Sequence, residues 1–204
     1  TLPEKYLPFV PLFGRALVEM GTDREDYVSL MQRISRTTGG IRPHTLNAAV
    51  KNSDKSASRL FLRGKAMLHQ AGSLTDILRD VLLGVQLDNQ QRFRQMLLES
   101  KARVEQKMIP SGHEVINLRL KAHFSESHWA SEQMSGISYL LFLRELAKKV
   151  DQSWPEVLNA LEEIRQTIVN RNSIMINMTM TERDRTAVEP YIERTLLALP
   201  ERNR

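Results

Sequence analysis

Cysteine is missing altogether from these 204 residues. That excludes disulfides and thiolate metal sites, and it fits a reducing compartment without requiring one. No stretch reaches the roughly 18 consecutive apolar residues that a membrane-spanning helix needs. The phosphate loop, the G-x-G-x-x-G turn and the G-x-S-x-G nucleophile elbow are all absent. Aromatic residues are only 6% and scattered, so they offer no stacking platform for single-stranded nucleic acid. Runs of like charge are lacking too. The formal charge is +5, but Lys and Arg alternate with Asp and Glu along the chain, which reads as a solvated surface with no nucleic-acid or membrane partner. The opening Thr1-Leu2-Pro3-Glu4-Lys5 has neither an initiator Met nor the charged-then-apolar layout of a signal peptide. The expectation is a chain that begins inside a longer protein.

What remains is the composition of an ordinary globular chain, 41% hydrophobic and 26% charged, with length for one domain or two small ones. Residues 4–20 carry apolar side chains at helical spacing, and Pro8 and Pro11 confine the regular part to the second half. Gly21 is a stop. Thr22 with Glu25 three residues on reads as a capping box opening a helix over 23–36, which Gly39-Gly40 breaks. Residues 41–50 read weakly as extended, 51–58 as a polar loop and 59–66 as a strand. Helices are then predicted over 74–85 (capped by Ser73), 89–108, 110–124, 129–134 and 139–150. Ser153-Trp154-Pro155-Glu156 is a clean start for another, running to about Arg171. Residues 173–180 alternate apolar and polar side chains and are the strongest predicted strand. A last helix spans 185–199. The fold class is α+β, helix-rich, with few strands. Either the sheet is small or strands that precede Thr1 belong to it.

Two places invite a test for zinc. His113-Glu114-Val115-Ile116-Asn117 begins like HExxH, but Asn117 stands where the second imidazole must project from the same helix face, so a solvated His–Glu pair is the reading. His123 and His128 are five residues apart, about 140° around a regular helix, and cannot chelate one ion from it. A helix break between 125 and 128 would change that geometry, though no third ligand is in view. The alternative is a helix end with exposed His and a half-buried Trp129.

Several blocks, in order, resemble the presequence-protease branch of the pitrilysin/insulinase zinc metallopeptidase superfamily. They are Tyr6-Leu7-Pro8-Phe9 through Glu19-Met20-Gly21-Thr22, then Thr38-Gly39-Gly40-Ile41, then Arg59-Leu60-Phe61-Leu62-Arg63-Gly64-Lys65-Ala66-Met67. Gln91-Arg92-Phe93, Ser100-Lys101-Ala102-Arg103, Ser111-Gly112-His113, Ser131-Glu132-Gln133-Met134-Ser135-Gly136-Ile137-Ser138-Tyr139 and Leu161-Glu162-Glu163-Ile164-Arg165 follow. Their joint order over nearly the whole chain carries the resemblance.

The resemblance implies a clamshell of two halves, each built from two related α+β domains, with zinc on an HxxEH helix of the first. Residues 1–204 resemble the third, a pitrilysin-type domain that is metal-free and partial. Counting back from Gly21, the motif positions fall on Leu12, Arg15 and Ala16, none of which offers an imidazole or a carboxylate. The chain alone is therefore expected to be inactive, with no cofactor of its own. Its parent would be an ATP-independent zinc metalloendopeptidase that encloses unfolded, targeting-peptide-like substrates. The expected partners are the catalytic N-terminal half and those peptides. A homodimer of the fragment through exposed sheet edges is a further expectation. The family's substrate-binding Arg and Tyr fall beyond Arg204 and are not carried over. Location would be cytoplasmic in a bacterium and the mitochondrial matrix or chloroplast stroma in a eukaryote. The rival readings are a helical interaction domain without a peptidase role, a basic nucleic-acid binder, and a zinc enzyme using His123 and His128.

Overall fold

A computed structural model describes residues 2–53 and 55–202. Thr1 and Arg204, which bound the expected domain, lie outside the described residues, as does Asp54 within the expected 51–58 loop. Nine α-helices and one two-stranded sheet are present among the described residues. The α+β, helix-rich reading holds: the sheet is small and helices pack against it. No described helix is long and apolar enough to cross a membrane.

The chain enters through a 3-10 segment, Glu4–Phe9, and continues as α1, Val10–Glu19. Pro8 lies near the end of the first and Pro11 in the first turn of the second, where its missing N–H is no loss. Beyond α1, Gly21 adopts φ +89°, a left-handed conformation that glycine takes without a steric penalty. Helix α2 is Tyr27–Thr37 and starts later than the sequence suggests. Thr22 does not cap it. The Thr22 N–H donates to the Glu25 carbonyl (2.8 Å) and its hydroxyl accepts from the Arg24 N–H (3.3 Å), closing a tight turn. The cap is Asp26, whose carboxylate accepts from the Ser29 N–H at 2.7 Å.

Strands β1, Ile41–Ala49, and β2, Ser56–Gly64, form an antiparallel ribbon with Ile41 opposite Gly64 and Ala49 opposite Ser56. In this register Pro43, Thr45 and Asn47 share a face with Leu62, Leu60 and Ser58, and that face lies on α1 and α6. Arg42 is directly opposite Arg63 on the outer face.

A short 3-10 turn, Leu68–Gln70, leads into α3, Ala71–Gly84, so Ser73 lies inside the helix rather than capping it. Helix α4, Gln90–Met108, is capped by Asn89, whose side chain accepts from the Arg92 N–H at 3.0 Å. Then come α5, Gly112–Lys121, α6, Glu126–Ser135, α7, Ile137–Gln152, and α8, Trp154–Ile168. Helix α9, Glu182–Ala198, packs back on α3.

The third predicted strand is not formed. Residues 174–180 run between a 3-10 turn, Arg171–Ser173, and α9 without joining a ladder. Their alternation is that of a strand, yet no described strand is adjacent to supply the hydrogen bonds.

The main core is built around α1. Leu12, Phe13, Ala16 and Leu17 are buried with Leu30 of α2, Ile77 and Val81 of α3, Phe93 and Leu97 of α4, Leu143 of α7 and Leu161 of α8. Phe93 and Trp154 rings meet at 5.5 Å between centroids, joining α4 to α8. The ribbon reaches this core because Gly14 has no side chain. A Cβ there would lie 3.0 Å from Pro43 Cβ and 3.1 Å from Leu60 Cδ1.

That close approach gives a matched test. Gly14→Val is expected to cost about 1–3 kcal/mol by overpacking. Gly112→Ala, where a Cβ meets nothing within 4 Å, is expected to be neutral or to stabilise by up to about 1 kcal/mol. Urea unfolding midpoints of the two variants measure both.

Candidate functional site

The three positions that the resemblance singles out share one face of α1 but meet different surroundings. Leu12 and Ala16 are wholly buried in the apolar core. Arg15 points to α4 and makes five hydrogen bonds. Its Nε and Nη2 grip the two oxygens of Glu19 at 2.9 and 2.6 Å. Its Nη1 donates to the Ser100 hydroxyl at 2.7 Å and the Met96 carbonyl at 3.1 Å, and Nη2 also reaches Glu99 at 3.1 Å. The planar fork suits a two-oxygen partner in a way a lysine would not. Arg92 extends the cluster: its Nε donates to the Glu19 carbonyl at 3.0 Å, and its guanidinium lies 4.6 Å from the centre of the Tyr27 ring.

Beside this cluster is an open groove of about 280 Å³, lined among others by Pro11, Arg15, Pro43, Ser100, Arg103 and Tyr139. Burial pushes the Tyr139 phenol well above its ordinary value, and the charge of Arg15 opposes that only in part. The groove is also lined by His44 and Thr45, and among the described residues no hydrogen bond joins the His44 imidazole to the hydroxyl of Thr45 or Ser100. The set at Leu12, Arg15 and Ala16 does not fit zinc either: two alkyl side chains sealed in the core and a cation already bonded to carboxylates provide no donors.

The other candidate residues stay apart. His113, Glu114 and Asn117 are exposed on α5, with Glu114 3.9 Å from Lys107. His123 is exposed in the turn after α5. His128 is half-buried inside α6, behind a break at Ser125. That break exists, yet no third ligand joins the pair: among the described residues no three His, Cys, Asp or Glu side chains converge on a common point.

Two buried carboxylates were not legible from motifs. Asp80 of α3 is buried among three guanidinium groups, Arg33 at 3.0 Å and Arg24 and Arg79 at 3.3 Å. Glu132 of α6 is buried and folds back over the α6–α7 junction. It accepts from Arg119 Nη1 at 2.9 Å and from the Ser138 N–H at 3.0 Å. Burial works against its charge, but the hydrogen bonds from Ser138 and Arg119 outweigh it and hold the carboxyl below the usual glutamate range. Both groups organise helix ends and helix pairs.

Residues 1–146 match the family model described as Peptidase M-16C associated. The chain is 41% identical over 201 residues, 98% of its length, to an Arabidopsis thaliana protein named Presequence protease 1, chloroplastic/mitochondrial, of which it covers 19%. It is 25% identical to Protein HypA of Clostridium perfringens, over 90% of this chain and 19% of that one. It is 26% identical to Presequence protease, mitochondrial, of Yarrowia lipolytica, over 83% of this chain and 17% of that one. The chain therefore spans about a fifth of the length of these relatives.

Two expectations follow from the geometry. Arg15→Met leaves Ser100 and the Met96 carbonyl without their charged donor and should cost about 1.5–3 kcal/mol in urea unfolding, with Arg15→Lys recovering only part. Because the Glu132 pKa is lowered on folding, its contribution is present above the ordinary value of 4.5 and is lost as pH falls below it, through the lowered folded value. The acid limb of a stability–pH curve should therefore flatten in Glu132→Gln relative to the parent chain.

Proposed function

Starting from the fact that this chain belongs to the family of peptidase-associated domains matched by residues 1–146, we propose that residues 1–204 are a non-catalytic, third-domain-like part of an ATP-independent zinc metalloendopeptidase. The parent would degrade unfolded, targeting-peptide-like substrates. This part would form chamber wall and pack against the catalytic half. The observation that carries the reading is α1: a helix enclosed at the centre of the fold whose Leu12, Arg15 and Ala16 serve packing and helix docking. Any metal chemistry then belongs to a different segment of the parent, and no step of it runs through these residues. Location follows the host: organellar, as the names of the Arabidopsis and Yarrowia relatives state for those proteins, or cytoplasmic in a bacterium.

A surface for packing between halves is available. Helix α5 buries none of its residues. Ile116 (59% exposed) and Leu120 (58%) stand one turn apart on it, and Ile109 (91%) and Phe124 (89%) flank its ends. Four large apolar side chains so exposed on one helix and its adjoining turns are the mark of a contact surface.

The test is stoichiometric association of this chain with the catalytic half of its parent. Leu120→Asp combined with Phe124→Asp should weaken that association at least about tenfold, or 1.4 kcal/mol, without shifting the chain's own unfolding midpoint. No association at micromolar concentrations, or chelator-sensitive peptide cleavage by this chain alone, would overturn the proposal.

A further inference from the structure

The groove between the ribbon, α1, α4 and α7 has a one-sided chemistry that packing does not use. Ten residues line it and none is a carboxylate. Tyr139 is only 5% exposed, its ring rests on Phe142 at 6.4 Å between centroids, and its hydroxyl has no hydrogen-bond partner among the described residues. Ser100, 7% exposed, accepts from Arg15 Nη1 at 2.7 Å, and its own hydroxyl hydrogen has no acceptor among the described residues. Arg103, three residues on along α4, is exposed and makes no ion pair among them. Glu99, one turn before it, is taken by Arg15 at 3.1 Å.

Buried polar groups are normally hydrogen-bonded, so two hydroxyls nine-tenths buried, each with a hydrogen to donate in the same groove, call for an acceptor from outside the chain. Charge makes that acceptor an anion. The donors of Arg15 are all spent within the molecule, but the guanidinium of Arg103 is unmatched, and its planar fork suits two oxygens. Burial keeps the Tyr139 phenol protonated, so it acts as a donor at neutral pH. The rest of the lining is apolar: Pro11, Pro43, Leu60 and Val104. One unmatched cation beside apolar walls suits a singly charged group on an aliphatic body better than a doubly charged phosphate.

We propose that this groove binds a peptide carboxylate, either the end of a chain or an acidic side chain. Arg103 supplies the fork, the Tyr139 and Ser100 hydroxyls donate to the same group, and Pro11, Leu60 and Val104 hold the aliphatic carbons. The volume of about 280 Å³ lies just under the roughly 300 Å³ at which small-molecule sites begin, so the groove takes one residue and not an extended segment. The assignment holds whether or not the parent is a peptidase, because every group in it belongs to this chain.

The test is photo-crosslinking to the full-length parent, with a chelator present, using short acetylated peptides that end in a diazirine analogue of leucine. One probe has a free terminal carboxylate, the second is its amide, and the third is the amide with a glutamate beside the diazirine. The expected result is a label on residues 43–45, 100–104 or 139 from the first or the third probe, at least about tenfold above the amide. The first alone assigns a chain end, the third alone an acidic side chain, and both together a site for either. Tyr139→Phe deletes a hydroxyl that has no partner, so the urea midpoint should hold while the label falls at least about tenfold. Arg103→Gln should do the same. Arg42→Gln, on the outer face of the ribbon opposite Arg63, removes the same charge and should leave the label unchanged. No label in the groove overturns the proposal, and so does equal labelling by the plain amide. A full label in Tyr139→Phe or in Arg103→Gln overturns it too, as does a loss in Arg42→Gln as large as in Arg103→Gln, which would assign the effect to diffuse charge.

Discussion

The enclosure of α1 constrains every other part of this structure. A ten-residue helix is covered by the ribbon, by α2 and α3, and by α4 and α8, and such a helix must be apolar nearly all round. Residues Val10 to Val18 satisfy that with two exceptions, and each exception has a partner. Gly14 meets the ribbon where any side chain would hold it off, and Arg15 passes through the α1–α4 contact with its charge balanced by Glu19 and Glu99. A cation half-withdrawn from water at a helix contact is tolerable only when its donors are used, and five hydrogen bonds use them. Because three of those bonds end on Met96, Glu99 and Ser100, which lie on one face of α4, they also fix the register of α4 against α1.

Local chemistry decided how much of the fold could be read beforehand. Asn89 and the Ser153-Trp154-Pro155-Glu156 start are short-range signals, and α4 and α8 begin where those residues stand. Thr22 with Glu25 has the same local form and misleads, because the long-range Asp23 N–H bond to the Gly84 carbonyl pulls the segment into a turn tied to the end of α3. The 173–180 alternation misleads for a different reason. Period-two patterning reports that a segment suits a sheet, and a sheet also needs a neighbour that none of the described residues brings to it. The ribbon strands, weaker in pattern, do form because each brings the other within a nine-residue pairing.

The site divides along the same line. Placing Leu12, Arg15 and Ala16 on one helical face needs only the 3.6-residue period, and the structure has that face. Its pairing with Glu19 is local, at i,i+4, but its docking on α4 was out of reach, since Met96, Glu99 and Ser100 lie more than eighty residues away. Asp80 and Glu132 escaped for the same reason. Nothing near Asp80 in sequence shows that Arg24 and Arg33 will surround it, and Glu132 looked like any surface glutamate until α6 and α7 closed over it. His123 and His128 are not related by one regular helix: His123 lies in the turn after α5 and His128 within α6, so the angle of a continuous helix does not describe the pair.

On the proposed correspondence with a metal-binding helix, replacing the ligands changes more than chemistry. A zinc helix needs imidazoles and a carboxylate facing an opening that substrate and water can enter, and those polar groups exclude the same face from a dry core. With Leu12 and Ala16 in their places that face becomes one of the most deeply buried in the molecule, packed against the same core as Phe93, Met96 and Leu97. The remaining position carries an arginine that binds a neighbouring helix instead of an ion. Apolar burial and a guanidinium–carboxylate fork order this helix. On that proposed correspondence, the positions that a metal-binding helix would leave open to substrate are closed at Leu12 and Ala16 between this molecule's own helices, which is what a wall would require.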